Sequence, residues 1–168
     1  QFINDTVWPP LDYLIVDLPP GTGDIQLTLV QTVPVTGAVL VTTPQEVALA
    51  DAVKAMNMFF LPNINIPVLG VVENMSWFTP AELPDNKYYI FGQGGGEALA
   101  KASKSTVLGQ VPLVQGIREA GDGGRPAVLD ENNKVSREAF MTVAQNVVRQ
   151  VAVRNETMDP TQMVNVQS

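Results

Sequence analysis

The stretch from residue 11 to residue 24, LDYLIVDLPPGTGD, constrains the fold of this chain more than any other. Residues 13–18 form an apolar run with hydrophobic side chains on both faces, which is typical of a strand in a parallel sheet that is covered on both sides. The run contains Asp17 near its end and passes directly into a Pro-Pro-Gly-Thr-Gly turn. A buried parallel strand that delivers a carboxylate to a glycine turn is how many α/β proteins hold Mg²⁺ and contact a phosphate.

The rest of the chain alternates predicted strands with predicted helices. We expect further strands at residues 38–43, 68–72 and 107–113, and helices at 24–33, 97–104 and 116–120. The Thr43-Pro44-Gln45-Glu46 sequence has the form of a capping box and predicts another helix that ends at Pro62, while Ser136 is the expected cap of the last helix. This order predicts an α/β fold, a mostly parallel doubly wound sheet with helices on both faces. Residues 1–154 are expected to form the domain, and residues 155–168 a polar tail.

The candidate functional residues follow the predicted strands. In doubly wound sheets ligands bind at the carboxyl ends of the strands. Asp17, Thr42 and Thr43, Asn74 and Pro112 all stand at such ends. The sequence therefore predicts a single site at one edge of the sheet.

The turn around Asp17 is the first part of this site. Asp17 would hold Mg²⁺ directly or through a water, and Gly21 would let its amide approach a terminal phosphate because it has no Cβ. The alternative is an Asp that only caps a turn before two prolines. The apolar run before Asp17 and the Gly-Thr-Gly-Asp sequence after it favour the functional interpretation, with the phosphate contacts assigned to Pro20, Gly21, Thr22 and Gly23.

Asn74 and Pro112 are the candidates for recognition of a base. The amide of Asn74 has both a donor and an acceptor, which suits the edge of a purine. The alternative for Asn74 is a turn residue that bonds to its own backbone, and the alternative for Pro112 is a proline that merely stops a strand. The glycine run at residues 92–96 precedes a helix and could bind an anion there, but a flexible hinge is the favoured interpretation.

Composition excludes several classes of function. The formal charge of −7 argues against a nucleic-acid partner, because phosphate contacts need clustered Lys and Arg. The chain has no Cys and no His, so it offers neither thiolate nor imidazole ligands. Its apolar segments are too short to span a bilayer, and we expect no membrane partner.

Four segments carry a family resemblance: DYLIVDLPPGTGD, VTTPQEVALADA, GVVENMS and LGQVPLVQGIREAGDGGRP, in that order. Together they resemble the Mrp/ApbC family, MinD-like P-loop ATPases described as iron–sulfur cluster carriers. The resemblance implies ATP and Mg²⁺ as cofactors, a cytoplasmic homodimer, and iron–sulfur acceptor proteins as partners. It also implies that Asp17 lies near Mg²⁺ and contacts it through a water, and that residues 19–24 follow the γ-phosphate. Asn74 would contact adenine, and the backbone around Pro112 would close over the base.

Two features depart from that family. No Gly-x-x-x-x-Gly-Lys-Ser/Thr phosphate loop occurs in the chain, and in the family it would lie before Gln1. We therefore expect an incomplete P-loop domain, unable to hydrolyse ATP alone, whose sheet has a gap, borrows a strand or rearranges. The family's Cys-x-x-Cys pair is replaced by WFTPAELPDNKYYIFG, so a cluster would need cysteines outside this chain, or the cargo differs. A MinD- or ParA-like positioning regulator and an interaction module without nucleotide turnover are the rival interpretations.

Overall fold

The computed structural model describes residues 3–19, 21, 23–80, 82–83, 85–131 and 133–163. Helices and strands alternate along these residues, as the sequence pattern predicts. The elements are α1 (Asp24–Thr32), β1 (Ala38–Thr42), α2 (Glu46–Phe59), β2 (Val68–Phe78), α3 (Gly95–Ala102), β3 (Val107–Leu113), α4 (Gln115–Asp122), a 3₁₀ turn (Ala127–Leu129) and α5 (Lys134–Thr157).

The described residues form one parallel sheet with the order β1-β2-β3. The central strand β2 carries side chains to both faces, because successive residues of a strand point in opposite directions. Val71 belongs to a core with Val30 of α1, Met56 of α2 and Leu99 of α3. Its neighbour Val72 belongs to a second core, which contains residues of β3 and α5: Leu108, Val111, Phe140, Val143 and Val147. The predicted parallel α/β sheet with helices on both faces is therefore confirmed.

The apolar stripe on the last helix is also confirmed. Phe140, Val143 and Val147 pack on the second core, and α5 lies against β3 and β2. This helix leaves Val39 and Val41 of β1 exposed, at 36% and 62% of their surface. Strand β1 is thus an edge strand of the described sheet, with part of one face uncovered.

The predicted strand at residues 13–18 is not formed, and this prediction is wrong. The segment has no strand pairing, and Ile15 is 84% exposed while Tyr13 and Leu14 are each 47% exposed. An apolar run with hydrophobic residues on both faces needs neighbouring strands and covering helices to become a buried strand. No strand among the described residues lies beside this run, so it stays outside the sheet.

Both predicted helix caps are wrong as well. Helix α2 begins at Glu46, with Gln45 at its N-cap and no capping side chain, while the buried Thr43 hydroxyl has no hydrogen-bond partner among the described residues. Helix α5 begins before Ser136, and the cap is the Asn133 side chain, whose Oδ1 accepts from the Ser136 backbone N–H at 3.3 Å. Asn and Ser are about equally good caps, so local sequence did not separate them.

Two element boundaries differ for identifiable reasons. Strand β2 continues six residues beyond the predicted end and passes through Met75, whose φ is +54°. Its end is held by an antiparallel bridge between Phe78 and Tyr88, with both N–H···O distances at 2.8 Å. Helix α5 reaches Thr157, so the first three residues of the predicted tail are helical. Over the residues that the structure describes, no helix has the length and apolar character needed to cross a membrane.

Candidate functional site

The register of the sheet brings the carboxyl end of β1 and the last residues of β3 to the level of Glu73 and Asn74, which lie five and four residues before the end of β2. Thr42 of β1 pairs with Glu73 of β2, and Asn74 of β2 pairs with Val111 of β3. Pro112 directly follows Val111. The predicted site residues Thr42, Asn74 and Pro112 therefore lie on neighbouring strands within about one residue of the same level, and this is the candidate site.

Pro112 lies inside β3 rather than after it, and it is fully buried. The pairing of β2 with β3 shifts register between Asn74 and Phe78, opposite this proline. A proline has no N–H to give to the sheet, so it is tolerated where the pairing is irregular. The strand ends at Leu113, one residue after Pro112 and at the predicted position.

The Asn74 side chain is half-buried, and one of its two polar groups makes a hydrogen bond. Its Oδ1 accepts from the backbone N–H of Met75 at 2.9 Å, which is the local turn contact that the sequence left open as an alternative. This bond fixes the direction of the side-chain amide. Its Nδ2 group has no hydrogen-bond partner among the described residues, and it is the part of Asn74 that can donate to a ligand at this edge.

The turn after Asp17 is attached to the fold through α1. Gln26 of α1 is only 4% exposed, and its Nε2 donates to the carbonyl oxygens of Pro19 at 2.8 Å and Gly21 at 2.9 Å. Gly21 has a φ of +103°, a conformation that L side chains rarely adopt, so the glycine there is required by the backbone. Asp17 itself is exposed to solvent.

Of the remaining predicted residues of this turn, the structure describes only Gly23. Gly23 is the N-cap of α1 with φ −82°, which any residue can adopt. Pro20 and Thr22 lie outside the described residues.

Glu73 is a buried residue beside the candidate site, and sequence reasoning did not predict its contacts. Its side chain is 2% exposed, its Oε2 accepts from the Gly96 backbone N–H at 2.6 Å, and its Oε1 accepts from Gln110 Nε2 at 2.9 Å. A buried carboxylate requires partners of this kind, because leaving it unpaired is very unfavourable. The signal in the sequence was a Glu next to an otherwise apolar strand, GVVE, where a charged residue is almost never fully buried unless it is paired.

The last two glycines of the run at residues 92–96 are closely packed, whereas Gly92 and Gly94 have positive φ and open space around an added Cβ. A Cβ on Gly95 would lie 2.8 Å from Pro44 Cα, and a Cβ on Gly96 would lie 2.8 Å from Glu73 Cβ. Both glycines are buried in the first turn of α3. The anion that meets this helix N-terminus is the carboxylate of Glu73, which accepts one of the free N–H groups of the first turn.

The described residues offer few ligands for a metal. They contain no group of three or more His, Cys, Asp or Glu side chains that could hold an ion. Mg²⁺ is often bound by one or two carboxylates together with water and substrate phosphates, and Asp17 fits that kind of partial site. The chain has no thiolate for an iron–sulfur cluster.

Two cavities of about 280 and 330 Å³ lie elsewhere in the described part of the molecule. The first is bounded by the α1–β1 loop and the end of α5, and the second by α1 and α2. Neither is lined by a predicted site residue.

The fold and the residues at this edge first support the class of nucleotide-binding proteins. A nucleotide-binding protein from Archaeoglobus fulgidus, solved in complex with ADP, matches with a TM-score of 0.60 and 39% identity, over 70% of this chain and 47% of that one. The septum site-determining protein MinD from Pyrococcus horikoshii, solved with Mg-ADP, matches with a TM-score of 0.50 and 21% identity, over 72% of this chain and 44% of that one. The second likeness supports the fold alone.

The family follows from the sequence comparisons. The model of the ParA family, NUBPL iron-transfer P-loop NTPases, matches residues 1–148. Iron–sulfur cluster carrier proteins from Synechocystis and Deinococcus radiodurans are 50% and 49% identical, over 91% and 97% of this chain. This chain belongs to that family of iron-transfer P-loop NTPases. It spans less than half the length of these relatives, 43% and 45% respectively.

Proposed function

We propose that this chain supplies the base-binding edge and the Mg²⁺-sensing turn of an ATPase that assembles or transfers iron–sulfur clusters. The observation that carries the proposal is the register of β1, β2 and β3, which puts Asn74 and Pro112 side by side at the strand ends of a family member. The intact assembly is proposed to be a cytoplasmic homodimer that passes clusters to acceptor proteins.

The described geometry suggests a role for each part of the edge. The Nδ2 of Asn74 donates to the acceptor atoms of adenine, since Oδ1 is occupied by Met75. Pro112 itself is fully buried, so the contact beside the base is assigned to the half-buried residues that follow it, Leu113 and Val114. Recognition of the base thus depends on two adjacent strands.

The phosphate end of the site is assigned to the turn held by Gln26. Asp17 binds Mg²⁺ through a water, and Gly21 to Gly23 approach the terminal phosphate, with Pro20 and Thr22 assigned to this group on the sequence alone. Phosphoryl transfer to water depends mainly on positioning and charge stabilisation, so a general base is not required from this chain. The lysines of a phosphate loop must come from outside residues 1–168, because the sequence contains no such loop.

A chimera provides the test. This chain would replace the matching region of the Synechocystis carrier protein, to which it is 50% identical over 153 residues, so that the rest of that protein is present. We expect the chimera to bind and hydrolyse Mg·ATP. The intact Synechocystis protein is the positive control. Asp17→Ala should lower turnover, since the water-mediated metal contact is lost.

A matched substitution tests whether the effect depends on the position of Asp17 or only on the loss of one negative charge. Asp12→Ala removes an exposed carboxylate from the same segment and should leave turnover unchanged. Equal binding and equal hydrolysis in Asp17→Ala and the unsubstituted chimera would contradict the role of Asp17. That outcome would favour an interaction module without nucleotide turnover.

A second candidate is a nucleotide-dependent positioning regulator related to MinD or ParA, whose fold this chain shares. Reconstitution of the chimera with iron and sulfide, followed by its absorption spectrum, distinguishes the two. A bound cluster supports the carrier. Nucleotide-dependent sedimentation with liposomes, without a bound cluster, supports the regulator.

A further inference from the structure

Glu73 joins three parts of the molecule that meet at the candidate site. Its Oε1 accepts from Gln110 of β3, and its Oε2 accepts from the Gly96 N–H at the start of α3. The same residue directly precedes Asn74 in β2. One buried side chain therefore lies between the base-binding edge and the helix that follows the β2–α3 loop, which we define as residues 79–94.

The backbone of Glu73 takes part in the irregular end of β2. The buried Ser76 hydroxyl donates to the Glu73 carbonyl oxygen at 2.8 Å, where the pairing with β3 shifts register. The chain leaves the sheet after Phe78, five residues beyond Glu73, and returns to it at the carboxylate of Glu73. Within the loop, Lys87 lies 4.0 Å from the centre of the Trp77 ring, and Tyr88 bridges to Phe78.

Glu73 and the first turn of α3 are so closely packed that an added methyl group would clash. A Cβ at Gly96 would lie 2.8 Å from Glu73 Cβ and 3.1 Å from its Oε2, and a Cβ at Gly95 would lie 2.8 Å from Pro44 Cα. The first turn of α3 is therefore wedged between β2 and the β1–α2 connection. Close-packed interiors transmit small displacements, because there is no free volume to absorb them.

We propose that Glu73 is a positioning residue that couples the base-binding edge at Asn74 to the β2–α3 loop. This inference rests on the proposed function, because it needs a nucleotide at that edge. When Asn74 engages a base, the backbone of β2 is held, and Glu73 passes the constraint to the first turn of α3, where the loop ends. Residues 85–94 of the loop then become more ordered with nucleotide than without it.

The test is amide hydrogen exchange in the chimera, measured for residues 85–94 with and without a non-hydrolysable ATP analogue and Mg²⁺. In the unsubstituted chimera we expect nucleotide to slow exchange by about fivefold or more, the lower end of ordinary coupling between sites. Glu73→Asp shortens the side chain by one methylene, so it cannot reach both partners. This variant should still bind the analogue but lose the slowing.

Two further variants control for folding and chemistry. The double substitution Glu73→Gln with Gln110→Glu exchanges the two side chains of the pair. The new amide at position 73 can still accept from the Gly96 N–H and can donate to the new carboxylate at position 110. This variant should restore the slowing of exchange. Ser76→Ala removes the hydrogen bond to the Glu73 carbonyl oxygen in the irregular part of β2 and leaves the carboxylate in place. It should reduce the slowing even if Glu73→Asp does not fold.

The outcomes separate this inference from the function on which it rests. If every variant binds nucleotide and both Glu73→Asp and Ser76→Ala show undiminished slowing, the coupling role is refuted. Binding without any slowing in the unsubstituted chimera, or failure of the double substitution to restore it, also refutes the coupling role alone. Absence of nucleotide binding in the unsubstituted chimera refutes the proposed function, and the coupling role is refuted with it.

Discussion

The substitution Gly95→Ala tests the packing that positions α3 at the site. Gly95 is buried in the first turn of α3, and its φ is not in the left-handed region, so an alanine meets no backbone strain there. The new Cβ would lie 2.8 Å from Pro44 Cα, 2.9 Å from the Pro44 carbonyl oxygen and 3.1 Å from Leu49 Cδ1. Two of these atoms are backbone, which cannot rotate away as the end of a side chain can.

The expected loss follows from two opposing effects. Overpacking a well-packed core typically costs about 1–3 kcal/mol. Replacing Gly by Ala in a helix contributes up to about 1 kcal/mol of stability from helix propensity. Because the obstructing atoms belong to the backbone, we expect the first effect to dominate and the free energy of unfolding to fall by about 1–2 kcal/mol.

Urea denaturation of this chain, followed by circular dichroism, measures the change. Gly121→Ala is the matched control, because Gly121 also lies in a helix, has no positive φ and has open space within 4 Å of an added Cβ. The control should be unchanged or more stable by up to about 1 kcal/mol. If Gly95→Ala is as stable as Gly121→Ala, the close packing of the first turn of α3 against Pro44 is refuted.

Three other predictions can be checked on this chain. Purified alone, it should show no ATPase activity above background in a phosphate-release assay, because no phosphate loop occurs in its sequence; turnover would contradict this. Asn133→Ala should lower the free energy of unfolding by about 1 kcal/mol through loss of a helix cap, whereas Ser136→Ala, which removes a buried hydroxyl without a hydrogen-bond partner, should not; a larger loss for Ser136→Ala would restore it as the cap. Gly21→Ala should destabilise the turn and Gly23→Ala much less, since only Gly21 has a positive φ, and equal melting temperatures for the two would count against that turn.

Local patterns were sufficient for the elements whose neighbours lie within this chain. Strand β3 has the predicted bounds at residues 107–113, and the apolar stripe of α5 packs on it as expected. Residues 13–18 show the opposite case. Their apolar pattern predicts a central strand, but a strand forms only beside a partner, and a partner is not a local property of the sequence.

The candidate site was predictable in its location but not in its contacts. The alternation of strands and helices placed Asn74 and Pro112 at the same edge, because parallel strands end on the same side. The partners of Glu73 come from Gly96 and Gln110, which are 23 and 37 residues away along the chain. Contacts at that separation depend on strand order and register, which periodicity does not specify.

The central claim, that the strand ends of this chain bind adenine, is tested most directly by photoaffinity labelling of the chimera with 8-azido-ATP and Mg²⁺. Mass spectrometry of the digested product identifies the labelled peptides. The account predicts that the label falls on the peptides containing Asn74 or Pro112 and is removed by excess ATP. Labelling confined to other parts of the chimera, with the same competition by ATP, would contradict the account.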